Sequence, residues 1–169
     1  MFLENESENM EGEDTMLAKT KFFGEVELDD EKVLEFPNGI IGFEDCKRYA
    51  ILYDEENQGE KRISWLQSLD EPLLALPVVD PLAIVPEYTP VVEDELLKPL
   101  GNPADEDLVF LLALTVPADM TKVTANMKAP FIINAVERKG VQLIVDNADY
   151  PVKFNVYESV QKMKEKAGE

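Results

Sequence analysis

Apolar and polar residues alternate in short bursts along most of this chain, and turn residues close each burst. In "EVELD", Val26 and Leu28 face one way and Glu25, Glu27 and Asp29 the other, which predicts a half-buried strand. Asp29-Asp30 reads as a turn, with Val33 to Phe36 as the returning strand of a hairpin. "FPNGIIGFED" (36–45) predicts a turn-rich loop, because Pro37 fixes φ and Asn38-Gly39 tolerate positive φ. "RYAILYD" (48–54) predicts a strand and "ENQGEKR" (56–62) a polar turn. "ISWLQSLD" (63–70) reads as a strand with Ile63, Trp65 and Gln67 opposite Ser64, Leu66 and Ser68. "PLLALPVVDP" (72–81) is a short apolar strand whose Pro77 argues for a sheet edge or a bulge.

The pattern changes after Pro90. In "VVEDELLKPLGNP" the acids come first, Lys98 comes late and Gly101 follows, which suits a helix dipole. Pro99 limits that helix to a turn or two. The run "DLVFLLALTVP" (107–117) predicts a central strand from its Val, Phe and Thr content. "KVTANM" (122–127), "PFIINAVE" (130–137), "VQLIVD" (141–146) and "YPVKFNVY" (150–157) complete the strands, with a turn at Lys139-Gly140. The ending is weakly helical, with Val156, Val160 and Met163 on one face. The expectation is an all-β, compact, β-barrel-like single domain of about nine or ten short strands with one short helix. Residues 1–18 are expected to form a flexible acidic tail, 19–157 the barrel, and 158–169 a C-terminal extension with helical character.

Composition narrows the chemistry. The 169 residues hold 16 Lys and Arg against 35 Asp and Glu, a formal net charge of −19. Such a chain repels phosphate backbones, so neither nucleic acid nor an anionic membrane is an expected partner. No apolar run approaches a membrane span, and the acidic start does not read as a signal peptide. The single cysteine, Cys46, cannot form an internal disulfide, which suits the cytoplasm. Glu44 and Asp45 beside it disfavour a thiolate. There is no histidine, so the commonest general base and the commonest transition-metal ligand are missing. Phosphate-cradling glycine motifs are absent too. A paired-carboxylate hydrolase stays formally open, but no motif selects a pair. The expectation is a non-enzymatic binding module with no metal and no cofactor.

Candidate contacts come from a few stretches. "NMKAPFIINA" (126–135) sets a lysine and a proline before an apolar run. One use is a strand entry, with Pro130 where its missing N–H does no harm and Lys128 as a guard against aggregation. The other is a docking rim, with Lys128 as polar contact and Pro130 as a stiff platform. Trp65 serves as core packing or as an interface anchor. "DNADY" (146–150) lacks the glycine and distal glutamate of a calcium loop and reads as an Asx turn.

Four stretches together resemble the flagellar assembly factor FliW family: "FPNGIIGFED" (36–45), "WLQSLDEPLLALPVVDP" (65–81), "TANMKAPFIINA" (124–135) and "GVQLIVDNADYPVKF" (140–154). Met127 stands where the family pattern leads one to expect leucine, a tolerant apolar exchange. The resemblance implies a β-barrel-like fold and a cytoplasmic regulator of flagellum assembly. It implies two partners: CsrA, an RNA-binding translational repressor antagonised away from its RNA site, and flagellin, which competes for the regulator and so couples synthesis to export. It also puts the docking use of 126–132 ahead of the strand-entry use. The expected contacts are Asn126, Lys128, Ala129, Pro130 and Ile132, then Phe43, Glu44 and Asp70. A flagellin chaperone that never touches a translational regulator is the alternative.

Overall fold

The computed structural model describes residues 15–53 and 63–167. The expected polar turn at 56–62 and the tail through residue 14 lie outside the described residues. The order is β1 (Thr15–Lys19), β2 (Glu25–Asp29), β3 (Leu34–Glu35), β4 (Arg48–Tyr53), β5 (Ser64–Ser68), β6 (Ala75–Val79), β7 (Leu108–Thr115), β8 (Thr124–Ala125), β9 (Phe131–Asn134), β10 (Lys139–Gln142), β11 (Phe154–Asn155) and helix α1 (Val156–Ala167).

Strand pairing closes on itself. The order β7-β6-β5-β4-β3-β10-β9 returns to β7 through the β7–β9 ladder, so seven strands form a ring. Full closure removes exposed sheet edges. All the ladders are antiparallel except the β3–β10 seam, a single parallel pair between Glu35 and Lys139. The central run at 108–115 is the strand its composition predicts: its first half pairs with β9 and its last two residues with β8.

The ring is filled. Phe36, Tyr49, Leu66, Val78 and Phe131 are fully buried inside it. Phe36 meets Tyr49 at 5.1 Å and Phe131 at 6.3 Å, both edge-on. Burying each such side chain contributes about 2 kcal/mol. Gly140 makes room for Phe36: a Cβ there would lie 2.5 Å from the Phe36 ring. A second cluster, with Leu112, Val123, Ala125 and Met127, packs under β11 and the α1 residues Val156 and Val160. A third, Leu100, Ile132 and Val141, seats the segment Asp94–Leu100.

Several expectations are corrected. Glu25–Asp29 does not pair with Val33–Phe36. It pairs with β1 in a separate two-stranded sheet, while β3 goes to β4 and β10. Thr15–Lys19 is strand β1, so residues 15–18 of the expected tail lie in a strand. The segment after Pro90 is a 3₁₀ helix, Asp94–Leu100, and the α-helix is C-terminal, starting at Val156 inside the expected barrel range. β6 is an inner strand, but Pro77 lies opposite Trp65 where β6 has β5 alone as a neighbour, since pairing with β7 starts at Val78, so the proline keeps the local edge position its missing N–H requires. The turn expected at Lys139-Gly140 sits earlier, at 135–138, where Arg138 takes a positive φ of 60°. Lys139 and Gly140 belong to β10, which ends at Gln142, so only the first two residues of "VQLIVD" are strand.

Alternation fails on β5 as well, since Leu66, Gln67 and Ser68 are all buried. The outer face is covered. Gln67 accepts a hydrogen bond from the Lys21 N–H, and its amide donates to the carbonyls of Ser68, Pro72 and Leu74. Phe22 packs on Trp65 at 4.4 Å. The β1–β2 hairpin and the loop after β5 thus bury a face that a lone strand would expose.

Candidate functional site

The loop 37–46 folds back tightly. Ile40 and Phe43 bridge through their backbones, and Cys46 donates its N–H to the Phe43 carbonyl. Gly39, at φ 69°, touches the backbone of Glu44 so closely that a Cβ would sit 2.5 Å from the Glu44 Cα. The Glu44 carboxylate accepts from the Gly42 N–H at 3.1 Å. This geometry turns Ile41 and Phe43 outward, 52% and 44% exposed.

Three polar side chains lock the neighbouring "NMKAP" stretch. Asn126 Oδ1 accepts from the N–H groups of Lys128 and Ala129 at 3.0 and 3.1 Å. Lys128 Nζ donates to the Asn147 carbonyl at 2.7 Å, strapping the stretch to the 146–150 loop. Gln142 accepts from the Ile41 N–H at 2.8 Å and donates to the Ala129 carbonyl at 3.1 Å. It joins the glycine loop to the stretch beside it. The 146–150 loop holds further contacts. Asn147 bonds the backbone of Thr89 and Val91, and the Tyr150 ring stacks on Tyr88 at 5.1 Å. Burial, then nearby Tyr150, pushes the Tyr88 phenol well above its usual range, so it stays a donor to the Met127 carbonyl.

The expected contact residues divide. Phe43 and Glu44 are exposed, and Asn126 and Lys128 are half-buried. Ala129, Pro130 and Ile132 are buried, so they cannot form an exposed binding edge in this conformation. Pro130 stands directly before β9, as the strand-entry use requires, and Ile132 packs in the third cluster. Lys128 is neither a strand guard nor a bare contact, because its ammonium is committed to Asn147. Asp70 is a clamp. Its carboxylate accepts from the Lys47 and Arg48 N–H groups at 2.7 and 3.0 Å and pairs with the Arg48 guanidinium at 3.1 Å. Partial burial raises its pKa, but those N–H donors and the guanidinium outweigh it and hold the carboxyl below its usual 3.8.

Between the glycine loop, β10 and the 3₁₀ segment lies a groove of about 290 Å³, lined by Ile40, Ile41, Glu44, Glu95, Leu96 and Gln142 among others. Its lining combines the exposed Ile41 and Leu96 with the carboxylates of Glu44 and Glu95, and the exposed Phe43 lies on the same loop between Ile41 and Glu44. A larger groove of about 570 Å³ runs between α1 and the barrel. Among the described residues no cluster of His, Cys, Asp or Glu is placed to hold a metal ion, and no helix is long and apolar enough to cross a membrane. Among the described residues the buried polar side chains are Gln67, Ser68 and Asn134, with no carboxylate among them.

Seven strands thus close into a filled ring, with a groove of mixed apolar and acidic lining on its outside. A family model described as FliW protein matches residues 17–156. Curated flagellar assembly factors FliW match at 54% identity from Lachnoclostridium phytofermentans, over 86% of this chain and 94% of that one, and at 49% from Lachnospira eligens, over 87% and 98%. A crystal structure of the flagellar assembly factor FliW superposes with a TM-score of 0.76 at 30% identity, covering 84% of this chain and 97% of that one. The chain belongs to the FliW family.

Gln142, Asn147 and Tyr88 were missed by sequence reasoning. Gln142 carried a faint signal, a long amide between Val141 and Leu143 in an otherwise apolar run. Asn147 reads locally as a turn former. Its bonds reach back 56 and 58 residues, which no spacing rule reveals.

Proposed function

We propose that this chain is a non-enzymatic, cytoplasmic regulator of flagellum assembly that binds CsrA and flagellin in mutually exclusive complexes. Family membership supports the flagellar role. The observation that carries the choice of surface is the groove beside the glycine loop, where Ile41 and Leu96 stand exposed next to Glu44 and Glu95, with the exposed Phe43 on the same loop. Apolar anchors give affinity, and the carboxylates give steering and register toward a basic partner. Asn126, Lys128 and Gln142 act behind that surface by fixing its shape. Ala129, Pro130 and Ile132 supply its buried support.

Exclusive binding needs shared surface or a differential affinity between two states. Calorimetric titration with CsrA at two salt concentrations, with and without flagellin, tests the proposal. CsrA should bind more weakly at high salt and be displaced by flagellin. Phe43→Ala should weaken binding by about 2 kcal/mol, as loss of an aromatic anchor does, and Glu44→Lys should weaken binding more at low salt than at high salt. Flagellin binding with no CsrA binding would make the chain a chaperone instead.

A further inference from the structure

The β1–β2 hairpin plays no part in that proposal. It is held to the barrel by Phe22, whose ring lies 4.4 Å from that of Trp65, and by the Lys21 N–H, which donates to Gln67 Oε1 at 3.0 Å. Ala18 and Leu28 are buried on its inner face. Among the described residues, neither of its strands pairs with a third. The hairpin is therefore an anchored two-stranded sheet with open edges, and an open edge is a template for another strand.

Which backbone groups are open follows from the ladder. Thr20 donates its N–H to the Gly24 carbonyl at 2.9 Å. Bonded and non-bonded pairs alternate in an antiparallel ladder. With Thr20 and Gly24 bonded, the register makes Ala18–Val26 and Met16–Leu28 the next bonded pairs. Between them lie Lys19–Glu25, Leu17–Glu27 and Thr15–Asp29, whose N–H and C=O groups point away from the ladder. The side chains of these same residues share the outer face, where Thr15 Oγ1 donates to Glu27 Oε2 at 3.3 Å. Leu17 is 71% exposed there, so no described residue covers it.

The two edges differ in charge. On β1 the outward-bonding residues are Thr15, Leu17 and Lys19. On β2 they are Glu25, Glu27 and Asp29, all exposed carboxylates. Charge on a sheet edge guards against self-pairing. A row of one sign also selects: it repels a second copy of this chain, whose net charge is −19, and favours a strand of opposite sign. We propose that the β2 edge is a strand-addition site for an extended basic segment of a partner protein. The segment pairs antiparallel to β2, with lysine or arginine at alternate positions opposite Glu25, Glu27 and Asp29. Main-chain bonds supply the affinity and the carboxylates select the sequence.

Amide hydrogen exchange of the full chain tests this, with a short capped peptide of alternating lysine and valine as the probe. At saturating peptide the N–H groups of Glu25, Glu27 and Asp29 should exchange about tenfold more slowly. Those of Ala18 and Val26, already bonded in the ladder, should change less. The same peptide N-methylated at its lysines lacks the donors that face β2 and should give no protection. Glu27→Lys, at an exposed position, should weaken binding of the unmethylated peptide about tenfold. Unchanged exchange at Glu25, Glu27 and Asp29 overturns the proposal. So does equal binding of the N-methylated peptide, which would show a charge contact without strand pairing. Protection that appears without peptide and grows with protein concentration overturns it too, by making a second copy the occupant. Neither the peptide nor Glu27→Lys touches the groove beside the glycine loop, so the two proposals fail separately.

Discussion

The two grooves of this barrel are built on opposite principles. Around the glycine loop, side-chain amides do the fastening: Asn126 holds the backbone just ahead of it, and Gln142 and Asn147 bond backbone groups of segments far apart in sequence. Around α1 the contacts are mostly apolar, with Ser159 Oγ donating to the Ile84 carbonyl at 2.5 Å and Asn155 accepting from the Glu158 N–H at its start while donating to the Thr121 carbonyl. A latched surface holds one shape and loses much when a latch is cut, because the released N–H groups are left without partners. An apolar surface yields gradually and accepts exchange.

Substitutions should separate the two. Gly39→Ala is the harshest. It forces a side chain into positive φ and against the Glu44 backbone, and should cost about 3 kcal/mol or more, read as a fall in the denaturation midpoint. Next comes a matched pair. Asn126→Ala strands two backbone N–H groups and should cost about 2 kcal/mol. Met163→Ala on the half-exposed groove wall should cost less than about 1 kcal/mol. Equal losses would erase the distinction between the grooves.

The smallest effect concerns acid. Asp70 has a folded pKa below its unfolded value of 3.8, so its contribution is present above that value and is lost as the pH falls through the lowered one. The pair is open to solvent, with 52% of the Arg48 side chain and 27% of the Asp70 side chain exposed, and screening keeps the contribution below about 1 kcal/mol. Asp70→Asn should lower stability slightly at pH 7 and flatten the pH dependence below about 4. A variant whose stability curve stays parallel to the parent's through that range would show the clamp to be energetically silent.

Local rules carried the strands because strands leave a local signature. The run 108–117 and "RYAILY" were legible for that reason. Partnership was not. Whether Glu25–Asp29 pairs forward or backward depends on Phe22 finding Trp65, a contact 43 residues away in sequence. The same holds for the site. Exposure of Phe43 follows from the local glycines and was readable. Burial of Ala129, Pro130 and Ile132 depends on Val141, Leu100 and Gln142, which sequence alone does not bring near. The stretch that the resemblance singled out is largely buried behind the glycine loop and is not a bare edge.

The single parallel pair that closes the ring has a consequence for how the protein forms. Glu35 and Lys139 lie 104 residues apart, and bringing such distant ends together carries a chain-entropy cost of about 4 kcal/mol beyond a constant. The pairs from β3 through β6 join neighbours along the chain and can assemble as each emerges. The seam cannot, because its second half is made near the end of synthesis. During translation the chain is an open, curved sheet with two unprotected edges, and only the arrival of β9 and β10 turns it into a barrel.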